Sequence, residues 1–484
     1  MSSSGDNLMP TEQLKLPEKY SHLTPNEYII ALTNYIEKYR QWTTLHIVDF
    51  LTFSQWNILD VEWREALLPP DGSISHEEWI DSIIKITSGS DVNEKWPASL
   101  RDFIKDTKDI ALPRINVAGC KILEFSLLKS ASEQVKSKIE KRILAGMVDK
   151  KIHEVERMTP VIQKIAQDNQ VHSIVDLGAG QGYLSRSLAF KSNLKILAVD
   201  SSEIQTCGAK KFDQKAIKFL DKDVLKLHHV TDFITPENAS SILSKWSDSN
   251  TQEEKWLLTG LHTCGDLASM MLRLFTSSPE ITCFVNVGCC YHFLTEKDQK
   301  EDDITVGFPL SSTVRNTGFK LGPTARMLSC QAPARWVDQQ EETLMAYEHH
   351  FFRALLQFIM VEKGLTDASV APIVGRLNKK RDFTSFPVYI KAALKRLKLP
   401  EDTITSEEAE AYYQEYKEKQ IDKQITILWT LRVLLGPILE SIILVDRYLY
   451  LSETIEDSPT KGVWLWPLFD PVTSPRNIVI AATK

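Results

Sequence analysis

Residues 173–186 read SIVDLGAGQGYLSR, and the fold follows from how that stretch is parsed. Ile174, Val175 and Leu177 suit a short buried strand with Asp176 near its end. Gly178, Gly180 and Gly182 then alternate, and Tyr183 to Leu188 begin a helix. Glycines at a strand-to-helix turn permit positive φ angles and let a ligand approach the backbone closely. A dinucleotide loop places its third glycine three residues after the second. Here Tyr183 holds that position and the third glycine comes one residue early.

Working outward, Lys195 to Val199 form a second apolar strand that ends in Asp200, about where a ribose-binding acid belongs. A carboxylate there can accept both ribose hydroxyls; the competing reading is a helix cap built by Asp200, Ser201 and Ser202. In FLDKDVL (219–225), Asp221 or Asp223 follows a short third strand. Trp256 to Thr259 and Cys283 to Val287 supply strands four and five. Strands alternating with helical spacers specify an α/β, doubly wound, mostly parallel Rossmann-like sheet, with ligands at the carboxyl ends of its strands. The terminal runs GVWLWPLF (462–469) and NIVIAAT (477–483) read as an antiparallel pair that closes it. The expected divisions are a disordered leader over 1–17, a helical domain over 18–112 and a core with lead-in helices over 113–349. A helical insertion over 350–440 and a closing segment over 441–484 complete the chain. Trp42, Trp56, Trp63, Trp79 and Trp96 are expected to fill the helical core of the N-terminal domain.

A chain of 484 residues exceeds one compact core, and its net charge of −7 gives no overall basic footprint for nucleic acid. Five of the seven cysteines lie between Cys264 and Cys330, which fits a reducing-compartment enzyme better than a disulfide scaffold. No targeting signal is evident, and no apolar run reads as long and clean enough to span a bilayer. Cytoplasm or nucleus is the expected location.

The fourth strand ends in GLHTCGDLAS (260–269) and the fifth in VGCCYHFLTE (287–296). Neighbouring strand ends converge, so His262, Cys264 and Asp266 are expected near Cys289, Cys290, Tyr291 and His292. Four readings stand. The cluster binds zinc, although H-x-C and C-C-x-H are tighter than the usual C-x-x-C pairs and metal is not favoured. A cysteine attacks a pyrimidine carbon. His262 or His292 deprotonates an acceptor hydroxyl, the preferred reading. Or small residues pack beneath a cofactor. Upstream, MVDKKIHEVERM places His153 and Glu154 where they either face the cofactor cleft or form a solvated helix face.

The D-x-G-x-G-x-G loop resembles the first motif of class I methyltransferases. DLGAGQGYLSR, GLHTCGDLAS, VGCCYHFLTE, FPLSS, ARMLSCQAPARW and the closing LFDP and SPRN are together similar to the family of methyltransferase-like protein 25 and its relative named for a ribosomal RNA adenine dimethylase domain. The resemblance runs from about Gly146 to the C-terminus. The paired cysteine–histidine motifs also look like those of tRNA 2′-O-methyltransferases that modify the acceptor stem. What this implies is a methyltransferase using S-adenosylmethionine. Asp176, the three glycines and Tyr183 would hold the methionine end, Asp200 the ribose and Asp223 the adenine amino group. Chemistry would fall to His262, Cys264, Asp266, Cys290, Tyr291 and His292 on the loops after strands four and five. The Asn/Asp-Pro-Pro-aromatic motif of amino-group methyltransferases is absent after strand four, which weakens an N6-adenine assignment.

RNA (tRNA or rRNA) is the first substrate class implied. The basic run GRLNKKRDFTSFPVYIKAALKRLKL (375–399) offers Arg376, Lys379, Lys380, Arg381, Lys391 and Lys395 to phosphates, with Phe383, Phe386 and Tyr389 interleaved for base stacking. The bland alternative is a solvated helix. A protein substrate, or a methyltransferase fold kept only as a binding or scaffold module, are the other functional readings.

Overall fold

A computed structural model describes residues 8–70, 75–88, 93–115, 140–192, 194–217, 226–246, 254–296, 306–455 and 461–484. Among the described residues seven strands form one sheet: β1 (Ser173–Leu177), β2 (Lys195–Asp200), β3 (Leu227–Thr231), β4 (Trp256–Cys264), β5 (Ile281–Cys289), β6 (Gly462–Pro467) and β7 (Ile478–Thr483). Their order is β3-β2-β1-β4-β5-β7-β6. The first five run parallel, and β7 lies antiparallel to both β5 and β6. Val175 of β1 sits between Leu197 and Leu258 in register, so the order reverses at β1. Ligands of open α/β sheets bind at such a switch point, outside the carboxyl ends of the strands.

Helices α1 (Asp149–Asp168), α2 (Tyr183–Ser192), α3 (Glu203–Ile217) and α4 (Asp266–Ser277) flank the sheet. Met158, Val161, Ile162 and Ile165 recur at helical spacing on α1 and are buried, sharing a core with Leu184, Leu188, Ile174, Ile196 and Val285. The sheet and its helices belong to one compact unit: Met1–Tyr35, Ala111–Gly322 and Leu439–Lys484. The second unit, Ile36–Ile110 with Pro323–Ile438, is helical among its described residues. Within it, Trp42, Trp63 and Phe103 form an aromatic cluster with centroids 5.3–6.0 Å apart. The buried Arg432 donates from Nε to the Trp42 carbonyl at 2.7 Å. The helices within Ile36–Ile110 thus pack with those of Pro323–Ile438 in one unit.

Two expectations change, and a third falls outside the described residues. Residues 8–17 are not a disordered leader: Leu14 and Leu16 are buried, and the Leu465 amide donates to the Gln13 carbonyl at 2.8 Å. The exposed side of β6 thereby gains a partner. The stretch Ile421–Thr454 is long and apolar enough, by length and composition, to cross a membrane, yet 89% of its most apolar window is buried. It is a core element with a turn at Leu434 and Leu435. Among the described residues the third strand is β3, which follows FLDKDVL; that run itself lies outside the described residues.

Candidate active site at the strand ends

Gly178, Gly180 and Gly182 all have positive φ, at +71°, +55° and +67°. The loop folds back on β2, with the Gly178 amide donating to the Val199 carbonyl at 2.9 Å and the Gly180 amide to Asp200 Oδ2 at 2.9 Å. A Cβ on Gly182 would lie 2.8 Å from the His229 ring, whereas a Cβ on Gly180 would meet no atom within 4 Å. The apex is open on the side a ligand would approach. Asp200 also accepts the Ser202 amide at 2.8 Å through Oδ1, so one carboxylate ties the glycine loop to the start of α3. An ionised carboxylate offers about four lone-pair sites, two of which remain for ribose hydroxyls.

Asp176 is buried beneath this loop and accepts a hydrogen bond from Ser185 Oγ at 2.5 Å. Burial pushes its carboxyl up to about 6, with Ser185 and His229 opposing the shift. Tyr183 opens α2 and donates its hydroxyl to the Gly146 carbonyl at 2.8 Å, fastening the lead-in chain across the loop.

Asp223 and Asp221 lie outside the described residues, and both precede β3. At the carboxyl end of β3 stands Asp232: its amide donates to the Asp200 carbonyl at 3.2 Å, and Phe233, 59% exposed, follows it. The signal was HHVTDF, obscured because an edge strand with two histidines lacks an apolar run.

Beyond β4, His262 adopts φ +67° and its Nε2 lies 2.7 Å from Glu154 Oε2. Glu154, fully buried on α1, is also held by Lys151 at 2.9 Å and by Ser474 Oγ at 2.7 Å. Burial drives the Glu154 carboxyl up, but the His262 hydrogen bond and the charges of His262 and Lys151 outweigh it and bring it down to about 2. His153 instead accepts the Asp470 amide at 2.9 Å.

Cys264, Cys289 and Cys290 converge, their sulfurs 3.2–3.5 Å apart. Hydrogen bonds with Cys289 and Cys290, with the charges of His262 and His292, bring the Cys264 thiol down to about 6 against the effect of burial. The same contacts, with burial, push Cys289 up. His292 is exposed on the turn Tyr291–Phe293, with its ring centroid 4.0 Å from that of Phe293.

Two expected catalytic side chains do other work. Tyr291 is 1% exposed and donates to Glu440 Oε1 at 2.9 Å, with Arg447 and Arg476 against its ring. A buried phenol so tied cannot meet a substrate. Asp266 accepts the Thr295 amide at 2.8 Å and pins the loop after β5. Sequence reasoning gave no role to Glu440, which takes ion pairs from Arg114 and Arg476, or to Ser474, which supports Glu154. The closing SPRN motif was the available signal.

In the second unit, His349, Arg353, Arg376, Lys379, Lys380, Phe383 and Tyr389 are among the residues lining a cavity of about 600 Å³. Arg381 is paired with Asp382 at 2.6 Å, and Lys391 and Lys395 are exposed one helical turn apart on Phe386–Leu397. Phe386 and Tyr389 are 1% exposed and pack into an aromatic core with Phe352. They cannot act as stacking platforms; Phe383, half-buried beside the His349 ring at 3.9 Å, is better placed.

A family model described as a methyltransferase domain matches residues 150–297. The chain is 27% identical to the Homo sapiens protein named "Probable methyltransferase-like protein 25", over 91% of this chain and 94% of that one. The Mus musculus protein of the same name is 25% identical, over 97% and 98%. Among solved structures, the plantazolicin methyltransferase BpumL in complex with SAH is 17% identical, covers 33% of this chain and 55% of its own, and has a TM-score of 0.20. At that score the strand order, not the superposition, identifies the fold. This chain therefore carries a methyltransferase domain with the seven-stranded sheet of the class I, S-adenosylmethionine-dependent enzymes, and is similar along nearly its whole length to the methyltransferase-like protein 25 relatives.

Proposed function

We propose that the protein transfers a methyl group from S-adenosylmethionine to an RNA acceptor, with the acceptor held at the loops after β4 and β5. The observation that carries the reading is the His262–Glu154 pair at 2.7 Å, set on the strand end next to the open glycine loop. The residues present fit the cofactor: the Gly180 apex leaves open space against the backbone, and Asp200 borders it. Asp176 and the three glycines would seat the methionine end, Asp200 the ribose and Asp232 the adenine amino group. When bound, the cofactor supplies an electrophilic methyl group.

His262 accepts the acceptor's proton as the new bond forms, and the ionised Glu154 fixes the imidazole's orientation and balances the charge it gains. A general base positioned in this way contributes about 10²–10⁴-fold. RNA is favoured over a protein side chain by the cavity around Arg353, Arg376, Lys379 and Lys380, where cations and one accessible aromatic meet in a protein of net charge −7. Labelled-methyl transfer to fractionated cellular RNA and protein tests the reading. Label is expected in an RNA fraction and is expected to fall at least tenfold in His262→Ala. Label confined to protein would replace the substrate class, and no transfer by a protein that binds the cofactor would favour a scaffold.

A further inference from the structure

We propose that Cys264, Cys289 and Cys290 bind one zinc ion as thiolates, with His292 completing the set. The cysteines come from two neighbouring strand ends. Cys264 and Cys289 are register partners in β4 and β5, and Cys290 follows in the left-handed region at φ +45°. Their sulfurs already form a closed triangle, with separations of 3.2, 3.3 and 3.5 Å. A tetrahedral zinc with bonds of about 2.3 Å sets its sulfurs about 3.8 Å apart. Each pair need open by only about 0.3–0.6 Å to admit the ion. The three sulfurs alone lie close enough to share one ion as they stand, and His292, exposed on the turn Tyr291–Phe293 two residues beyond Cys290, would swing in as the fourth ligand.

Packing alone gives no reason for this arrangement. Thiols are weak hydrogen-bond donors, and two non-glycine residues at the rim, His262 and Cys290, hold positive φ. A second observation concerns charge. Arg447 is buried, with Nη1 so close to Gly288 that a Cβ there would lie 2.3 Å away, and it interacts electrostatically with Cys289. Its Nη2 has no hydrogen-bond partner among the described residues. Zinc binding displaces to solvent whatever thiol protons remain and leaves three thiolates on a divalent ion, a net charge of −1. A buried guanidinium beside Cys289 offsets that charge. Soft sulfur donors with an imidazole select zinc over hard cations. The ion would clamp the two strand ends and hold His292 at the rim.

The test uses the full chain purified without chelators. Elemental analysis is expected to find one zinc per chain. Cobalt exchanged into the site is expected to show sulfur-to-cobalt charge-transfer absorption. Cys289→Ser is expected to lose the metal. Should it fail to fold, the exposed Cys264→Ser serves instead, with zinc affinity expected to fall about 100-fold or more in chelator competition. His292→Ala is expected to keep the charge-transfer band and shift the ligand-field bands. Protein that neither contains zinc nor takes it up from a buffered solution would overturn the proposal, as would binding that persists in Cys264→Ser. Cofactor titration on the same samples reports the methyltransferase reading separately.

Discussion

At Asp176 the sequence places a carboxylate where folding disfavours its charge. Its pKa rises from 3.8 to about 6, so its contribution to stability is complete below pH 3.8 and is lost as pH rises through 6. Above pH 6 the buried charge costs about 3 kcal/mol. Asp176→Asn is therefore expected to raise the melting temperature of the ligand-free protein at pH 7.5, and to leave it nearly unchanged at pH 4. Glu154 has the opposite sign. Held down to about 2, it stabilises the fold above pH 4.5, and that contribution fades as pH falls towards 2. Glu154→Gln keeps the side-chain volume but removes the charge that orients His262. Methyl transfer is expected to fall about 10²-fold with cofactor affinity retained, a split that a merely unstable variant would not give. Glu154 and His262 are 108 residues apart, and no local pattern pairs them. Tyr291 misled for a related reason. It follows two cysteines that do face the rim, but its own side chain turns inward to Glu440.

Among the elements, the glycine loop separates two kinds of constraint. Gly182 has both a positive φ and the His229 ring 2.8 Å from where its Cβ would stand, whereas Gly180 has the φ alone. Gly182→Ala is expected to destabilise the protein by about 1–3 kcal/mol in urea unfolding. Gly180→Ala is expected to cost less stability but to reduce cofactor affinity, because its methyl group enters the ligand's space. Strands β1, β2, β4, β5 and β7 were legible because buried parallel or central strands are continuous apolar runs. β3 was not. As an edge strand with two histidines and mixed burial, it resembles a polar linker.

For the whole molecule, the chain leaves its sheet unit at Gly322 and rejoins it at Leu439, with the helical unit between. The return was readable from two apolar runs at the C-terminus. The association of the N-terminal helices with the later ones was not, because it depends on contacts such as Arg432 with Trp42, across 390 residues. A division of labour follows from the proposed function, with cofactor chemistry in the sheet unit and phosphate contact at the basic cavity. Reversing the charge at Arg376, Lys379 and Lys380 together is expected to weaken RNA binding and lower its salt slope by about two to three, while the cofactor dissociation constant stays the same. An unchanged slope would remove RNA contact from this cavity. The most direct measurement is calorimetric titration of the folded protein with S-adenosylhomocysteine. One saturable site per chain is expected, weakened about 10- to 100-fold in Asp200→Asn through loss of a charge-assisted hydrogen bond. Folded protein that takes up no ligand, or binds it equally well without the Asp200 carboxylate, would contradict a cofactor seat at the β1–β2 strand ends.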